Sequence, residues 1–185
     1  MIYVSSSCVK NKFIWQSVEE LALEGFTNIE LSGGTQRNIK SVDNLNDLKE
    51  KYNLNYRCHN YFPPPVSHFV MNIATDSNEI FKNTLSVINE AIKLSEILNC
   101  KEYGFHAGFL TDITTSEIGK SVSGRPLFDL KEAQCRFYER VKSLVKLNPL
   151  INLYVENNVV SQNNFINFNK QNCFLLTSYD DVIKM

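Results

Sequence analysis

Residues 69–110 read FVMNIATDSNEIFKNTLSVINEAIKLSEILNCKEYGFHAGFL, a long amphipathic helix pattern followed directly by a short strand pattern. Thr75 stands where a capping hydroxyl is wanted, and Asp76 and Glu79 put negative charge in the first turn, where the helix dipole favours it. Ile80, Leu85, Ile88, Ile92 and Leu94 to Leu98 form the apolar face, and Asn99 ends it. Glu102 to Ala107 then reads as a strand. A helix handing over to a strand within a few residues is half of a repeating βα architecture, provided the same alternation continues on both sides.

It does. Upstream, Ile2 to Ser6 reads as a strand, and Phe13 to Glu24 as a helix with Ile14, Val18, Leu21 and Ala22 on one stripe and Gly25 at the C-terminal stop. Asn28 to Leu31 is a second strand, broken by Ser32-Gly33-Gly34. A short helix carries Leu45, Leu48 and Tyr52, and Asn55 to Asn60 is a third strand. Pro63-Pro64-Pro65 fits neither element, so 61–74 reads as a long connection. Downstream of the quoted stretch, 108–126 is a polar loop, Asp129 to Leu147 a helix stopped by Asn148-Pro149, and Ile151 to Glu156 a fifth strand. An Asn-rich loop follows, and Thr177 with Asp180 opens one more helix shortly before Met185.

The pattern predicts an α/β fold: the N-terminal five βα units of a parallel (β/α) barrel of the TIM type, with strands in sequential order. A closed barrel needs eight units in ~250 residues, so the expectation is a partial barrel. It is one domain over 1–185, incomplete on its C-terminal side. A doubly wound open sheet is the competing arrangement, and its strand order would reverse about the first strand.

The 185 residues include 19 basic and 20 acidic ones for a net charge of −1, and 43% are hydrophobic, enough for a core. No long run of like charge occurs, which argues against a dedicated nucleic-acid or membrane-surface binder. The five cysteines (Cys8, Cys58, Cys100, Cys135, Cys173) are scattered without a CxxC pair, which points to a reducing, cytoplasmic setting. The opening MIYVSSS is too short and polar for a signal peptide, and no apolar stretch approaches a membrane span.

In parallel α/β folds the reacting groups collect at the C-terminal ends of the strands. The polar residues there are Glu30, His59 with Asn60, His106, and Glu156 with Asn157 and Asn158. Two imidazoles and a carboxylate on one rim suit a divalent metal or acid–base chemistry. Glu156 closes the apolar run Leu153-Tyr154-Val155, so it is expected to sit nearly buried and to need a compensating partner. Asn60, Asn157 and Arg125 are the candidates for contacts to a substrate. His68 reads as a solvated or gating loop residue and Trp15 as packing. Gly33-Gly34 lacks the surroundings of a phosphate loop.

His59-Asn60 before the proline loop, Phe105-His106-Ala107-Gly108 after the fourth strand and Glu156-Asn157-Asn158 after the fifth occur in that order, with IELSGG at 29–34. Over most of its length the chain resembles the xylose-isomerase-like TIM barrel superfamily, which holds sugar phosphate isomerases and epimerases and is related to the apurinic/apyrimidinic endonucleases. The resemblance implies a divalent metal (Mn, Mg, Zn or Co) at the strand mouths. It makes His59, His106 and Glu156 ligands, with Glu156 also moving a proton. The family's ligands on strands six to eight would lie beyond Met185, which implies a chain truncated after the fifth unit.

Three functions follow as expectations. The first is a metal-dependent sugar or sugar-phosphate isomerase/epimerase acting on a small carbohydrate. The second is a metal-dependent phosphodiesterase of the apurinic/apyrimidinic endonuclease kind, against which the balanced charge weighs. The third is an inactive fragment or binding module. A five-unit piece would leave edge strands and an apolar inner face uncovered, so self-association or a partner carrying the C-terminal half-barrel is expected.

Overall fold

A computed structural model describes residues 2–183. Five strands, β1 (Val4–Ser5), β2 (Asn28–Leu31), β3 (Asn55–His59), β4 (Glu102–His106) and β5 (Asn152–Glu156), lie in one sheet in the order β1-β2-β3-β4-β5. The pairing is parallel, with Val4 opposite Ile29, Ile29 opposite Tyr56, Cys58 opposite Tyr103 and His59 opposite Gly104. No reversal occurs about β1, so the doubly wound alternative falls and the partial parallel barrel stands. The helices are α1 (Ile14–Leu23), α2 (Ser41–Tyr52), α3 (Asn78–Ile97), α4 (Leu130–Leu147), α5 (Gln162–Asn167) and α6 (Tyr179–Ile183). Among the described residues no helix is long and apolar enough to cross a membrane.

The chain packs as two compact units. The first holds the chain up to Val66, Val87–Phe105 and Asn148–Tyr154, and so carries most of the sheet; the second holds Ser67–Ser86, His106–Leu147 and the chain from Val155 on, with the last residues of β4 and β5.

In the first unit, α1 buries Ile14, Val18 and Leu21 as its spacing requires. It ends in a Schellman pair, Gly25 N–H to Ala22 O at 3.0 Å and Phe26 N–H to Leu21 O at 3.1 Å, which needs the left-handed backbone of Gly25 (φ 91°). The sheet register decides which face is apolar. Ile29, Leu31, Tyr56, Cys58, Tyr103 and Phe105 are all buried, and the Tyr56 hydroxyl reaches the Leu45 carbonyl of α2 at 3.0 Å, so theirs is the helix-covered face. The alternate residues Glu30, Arg57, His59 and Gly104 share the opposite face. That face is polar, which corrects the expectation of an apolar inner surface. A step of one residue along a strand exchanges the two faces.

In the second unit, Val122, Phe168, Cys173 and Phe174 form a core, flanked by Phe109, Ile113, Leu127 and Val160. Two caps shift from their expected residues. Ser77 Oγ, not Thr75, accepts the Ile80 N–H at 3.3 Å at the start of α3, because Thr75 Oγ1 donates to Asp112 Oδ2 at 2.7 Å. Ser178, not Thr177, caps α6, accepting from Asp181 N–H at 3.2 Å. The Asn-rich segment holds α5, opened by Ser161 Oγ accepting the Asn164 N–H at 3.2 Å. It reads as a loop because asparagine carries no helical periodicity.

Candidate functional site

On the polar face of the first unit, Glu30 is the organising group. Arg57 donates to its Oε2 from Nε at 2.9 Å and Nη2 at 2.6 Å, and the Tyr154 hydroxyl donates to the same oxygen at 3.2 Å. The guanidinium lies between two rings, 4.7 Å from the centre of Tyr3 and 5.0 Å from that of Tyr154. Glu30 Oε1 is 3.7 Å from Nδ1 of His59, and Ser32 Oγ is 3.5 Å from the same nitrogen. Glu30 is 7% exposed, and these partners offset the cost of burying its carboxylate. It is Glu30, then, that stands as the buried carboxylate in need of compensation.

In the second unit, His106 ends β4 and Glu156 ends β5, and His106 Nδ1 faces Glu156 Oε2 at 3.7 Å. The Ala107 N–H donates to the Glu156 carbonyl at 3.2 Å, which continues the pairing of the two strands. The side chains are 40% and 36% exposed, so Glu156 is not the nearly buried carboxylate expected from its apolar run. Among the described residues β5 is the last strand in the sheet order, with a strand neighbour on one side only, and Leu153 to Glu156 are half-buried.

The other candidates fare differently. Asn60 is buried in a left-handed turn (φ 48°) just after His59, its N–H bonded to Gly104 O at 2.7 Å and its carbonyl accepting from the Tyr103 hydroxyl at 3.0 Å. Asn157 is exposed, while Asn158 is buried and donates to the Gly108 and Leu175 carbonyls at 2.8 and 3.1 Å. Arg125 is engaged in its own loop, with Glu117 and with the carbonyls of Ser123 and Asp112 at 3.1 and 3.0 Å. The Thr114 and Ser123 amides, then the Thr114 hydroxyl and Arg125, hold the Glu117 carboxyl down at about 2. His68 is exposed. Sequence reasoning passed over Arg57 and Tyr154; the signal was strand alternation, which puts Arg57 on the face of His59.

No family model matches the chain, and no curated protein does. Solved structures do match. A D-tagatose 3-epimerase-like protein superposes with TM-score 0.69 at 16% identity, covering 98% of this chain and 58% of its own. L-ribulose 3-epimerase gives TM-score 0.68 at 11% identity over 99% of this chain and 55% of its own. Endonuclease IV from Thermus thermophilus gives 0.51 at 16% identity over 88% and 52%. The chain spans little more than half the length of these structures. It has the fold of the xylose-isomerase-like TIM barrels, in the form of a partial barrel.

Proposed function

We propose that the chain forms one xylose-isomerase-like domain contributing part of a metal-dependent sugar or sugar-phosphate isomerase/epimerase, with His59, His106 and Glu156 as ligands of a divalent ion. The observation that carries this reading is the facing pair His106 and Glu156 at the C-terminal ends of β4 and β5. His59 ends β3 and is in register with Gly104, two residues before His106 on β4. Each of the three offers one ligand atom. Imidazole nitrogen with a single carboxylate suits Zn, Mn or Co better than Mg, which prefers oxygen ligands.

A bound ion would polarise the adjoining carbonyl and hydroxyl oxygens of a sugar. The half-exposed Glu156 can take a proton from the carbon beside that carbonyl and return it, which is the isomerase or epimerase step. Asn157 can reach a substrate hydroxyl from its exposed position, and Asn60 follows His59 directly. Arg125 would meet a substrate phosphate only by loosening its hold on Glu117. All five cysteines are free thiols, which supports a cytoplasmic setting.

A phosphodiesterase is the second reading, favoured by imidazoles ending two successive strands, β3 and β4. Calorimetric titration of the chain with Zn²⁺ and Mn²⁺ tests the metal claim. Weak or substoichiometric uptake, abolished by Glu156→Gln, is expected. No uptake, or uptake indifferent to that change, overturns it. Metal-dependent exchange of a ketose C–H proton into D₂O supports the isomerase reading, with D-tagatose and D-psicose as probes. Cleavage of abasic-site DNA instead supports the second.

A further inference from the structure

We propose that Glu30 sets the orientation and proton position of His59, holding the hydrogen on Nδ1 so that Nε2 is presented for coordination. The proposal deepens the metal reading above and rests on it for its purpose, though not for its geometry. The two oxygens of Glu30 divide their work. Oε2 takes the Arg57 guanidinium and the Tyr154 hydroxyl, and Oε1 is the oxygen turned toward His59 Nδ1 at 3.7 Å. Ser32 Oγ stands 3.5 Å from the same Nδ1, and Ser32 is itself fixed by its N–H to Ser6 Oγ at 2.9 Å.

The support behind Glu30 is stiff. Arg57 is held between the Tyr3 and Tyr154 rings. The Tyr154 ring lies nearly parallel to the His59 ring, at 14° with centroids 6.5 Å apart. The Arg57 and Tyr154 bonds fix the buried carboxylate through Oε2, and Oε1 faces Nδ1 at 3.7 Å, a short closure away from a hydrogen bond. A buried ion pair is poor value for stability alone, since a well-packed apolar pair of similar volume is commonly as stable or more so. An imidazole that binds a metal through one nitrogen typically donates its other N–H to a carboxylate, which fixes the ring and its tautomer. Glu30 Oε1 is the carboxylate oxygen that faces His59 Nδ1, at 3.7 Å.

The test is made on the full chain without metal. Nitrogen-15 NMR of the neutral imidazoles is expected to show His59 with its hydrogen on Nδ1. Glu30→Leu combined with Arg57→Met removes the pair without leaving a lone buried charge. It is expected to shift the His59 hydrogen to Nε2, the form favoured by an unconstrained ring. In a Co²⁺ titration the same double variant is expected to bind roughly 10–100-fold more weakly than the wild type. Glu30→Gln, which keeps an acceptor oxygen, is expected to retain most of the Nδ1–H form. A wild-type ring with its hydrogen on Nε2 overturns the proposal, as does a folded double variant with His59 unchanged. If the double variant fails to fold, the wild-type spectrum decides. An Nδ1–H ring in a wild-type chain that takes up no Co²⁺ supports the role of Glu30 and overturns the metal reading.

Discussion

The ring of Tyr154 fills the space over Gly104: a Cβ built on the glycine would lie 2.1 Å from Tyr154 Cζ and 2.5 Å from its hydroxyl oxygen. Both residues sit on the polar face of the sheet, and the missing side chain on β4 is what lets the phenol reach Glu30. Gly104 is therefore required for space rather than for backbone freedom.

Gly104→Ala is expected to destabilise the chain by about 1–3 kcal/mol, the usual cost of forcing a side chain out of a packed position. In a Tyr154→Ala background the same change is expected to be neutral or slightly stabilising, because alanine suits a strand better than glycine. Urea unfolding of the four proteins measures this. Equal costs in the two backgrounds would show that the ring does not impose the glycine.

Arg57 offers a second cycle. Its removal alone leaves Glu30 buried and without its cation, so Arg57→Met is expected to cost about 3–5 kcal/mol. Glu30→Leu with Arg57→Met is expected to cost less than Arg57→Met by itself, since no lone charge remains. Chemical denaturation reads both, and a double variant weaker than the single one would mean that the pair contributes more than mutual compensation.

Much of the fold was legible because hydrophobic spacing reports burial directly. Asn28–Leu31 is a strand at the expected bounds, and Leu45 and Leu48 of α2 are buried as their spacing requires. The capping residues were legible only to within a residue or two. Thr75 and Thr177 have the right chemistry, but tertiary partners such as Asp112 decide which hydroxyl is spare. At the site, alternation along Asn55–His59 could place Arg57 beside His59 but not identify Glu30 as the partner of both, since strand register is a property of two strands together. The exposure of Glu156 was not legible for a related reason: an apolar run implies burial only where strands flank it on both sides.

Asn72 is a test of loop architecture in the second unit. Fully buried, it accepts from the Ala74 and Phe109 amides at 3.1 and 3.0 Å and donates to the Phe109 carbonyl and Asp112 at 3.2 and 2.9 Å. Asn72→Ala strands these groups, at roughly 1–3 kcal/mol for each that water cannot reach. Hydrogen exchange is the sharper readout: the Ala74 and Phe109 amides should lose protection while those of α4 keep theirs. Unchanged protection at both amides would contradict the role given to Asn72.

The last prediction concerns acid. The Glu117 carboxyl is lowered from its ordinary 4.5 to about 2, chiefly by the Thr114 and Ser123 amides, at 2.8 and 2.9 Å, with the Thr114 hydroxyl and Arg125 adding to them. A carboxylate with a depressed folded pKa contributes stability that is fully present above its unfolded value and is lost as pH falls through the folded one. The contribution of Glu117 is therefore complete above pH 4.5 and disappears between there and about 2. Glu117→Gln removes the titration, so the variant is expected to melt below the wild type at pH 7, with the gap narrowing steadily as the pH drops through that window. Thermal melts of both proteins across the range measure it. A gap that stays constant down to pH 2 would mean that Glu117 acts through shape, since glutamine would then fail to replace it whatever the charge.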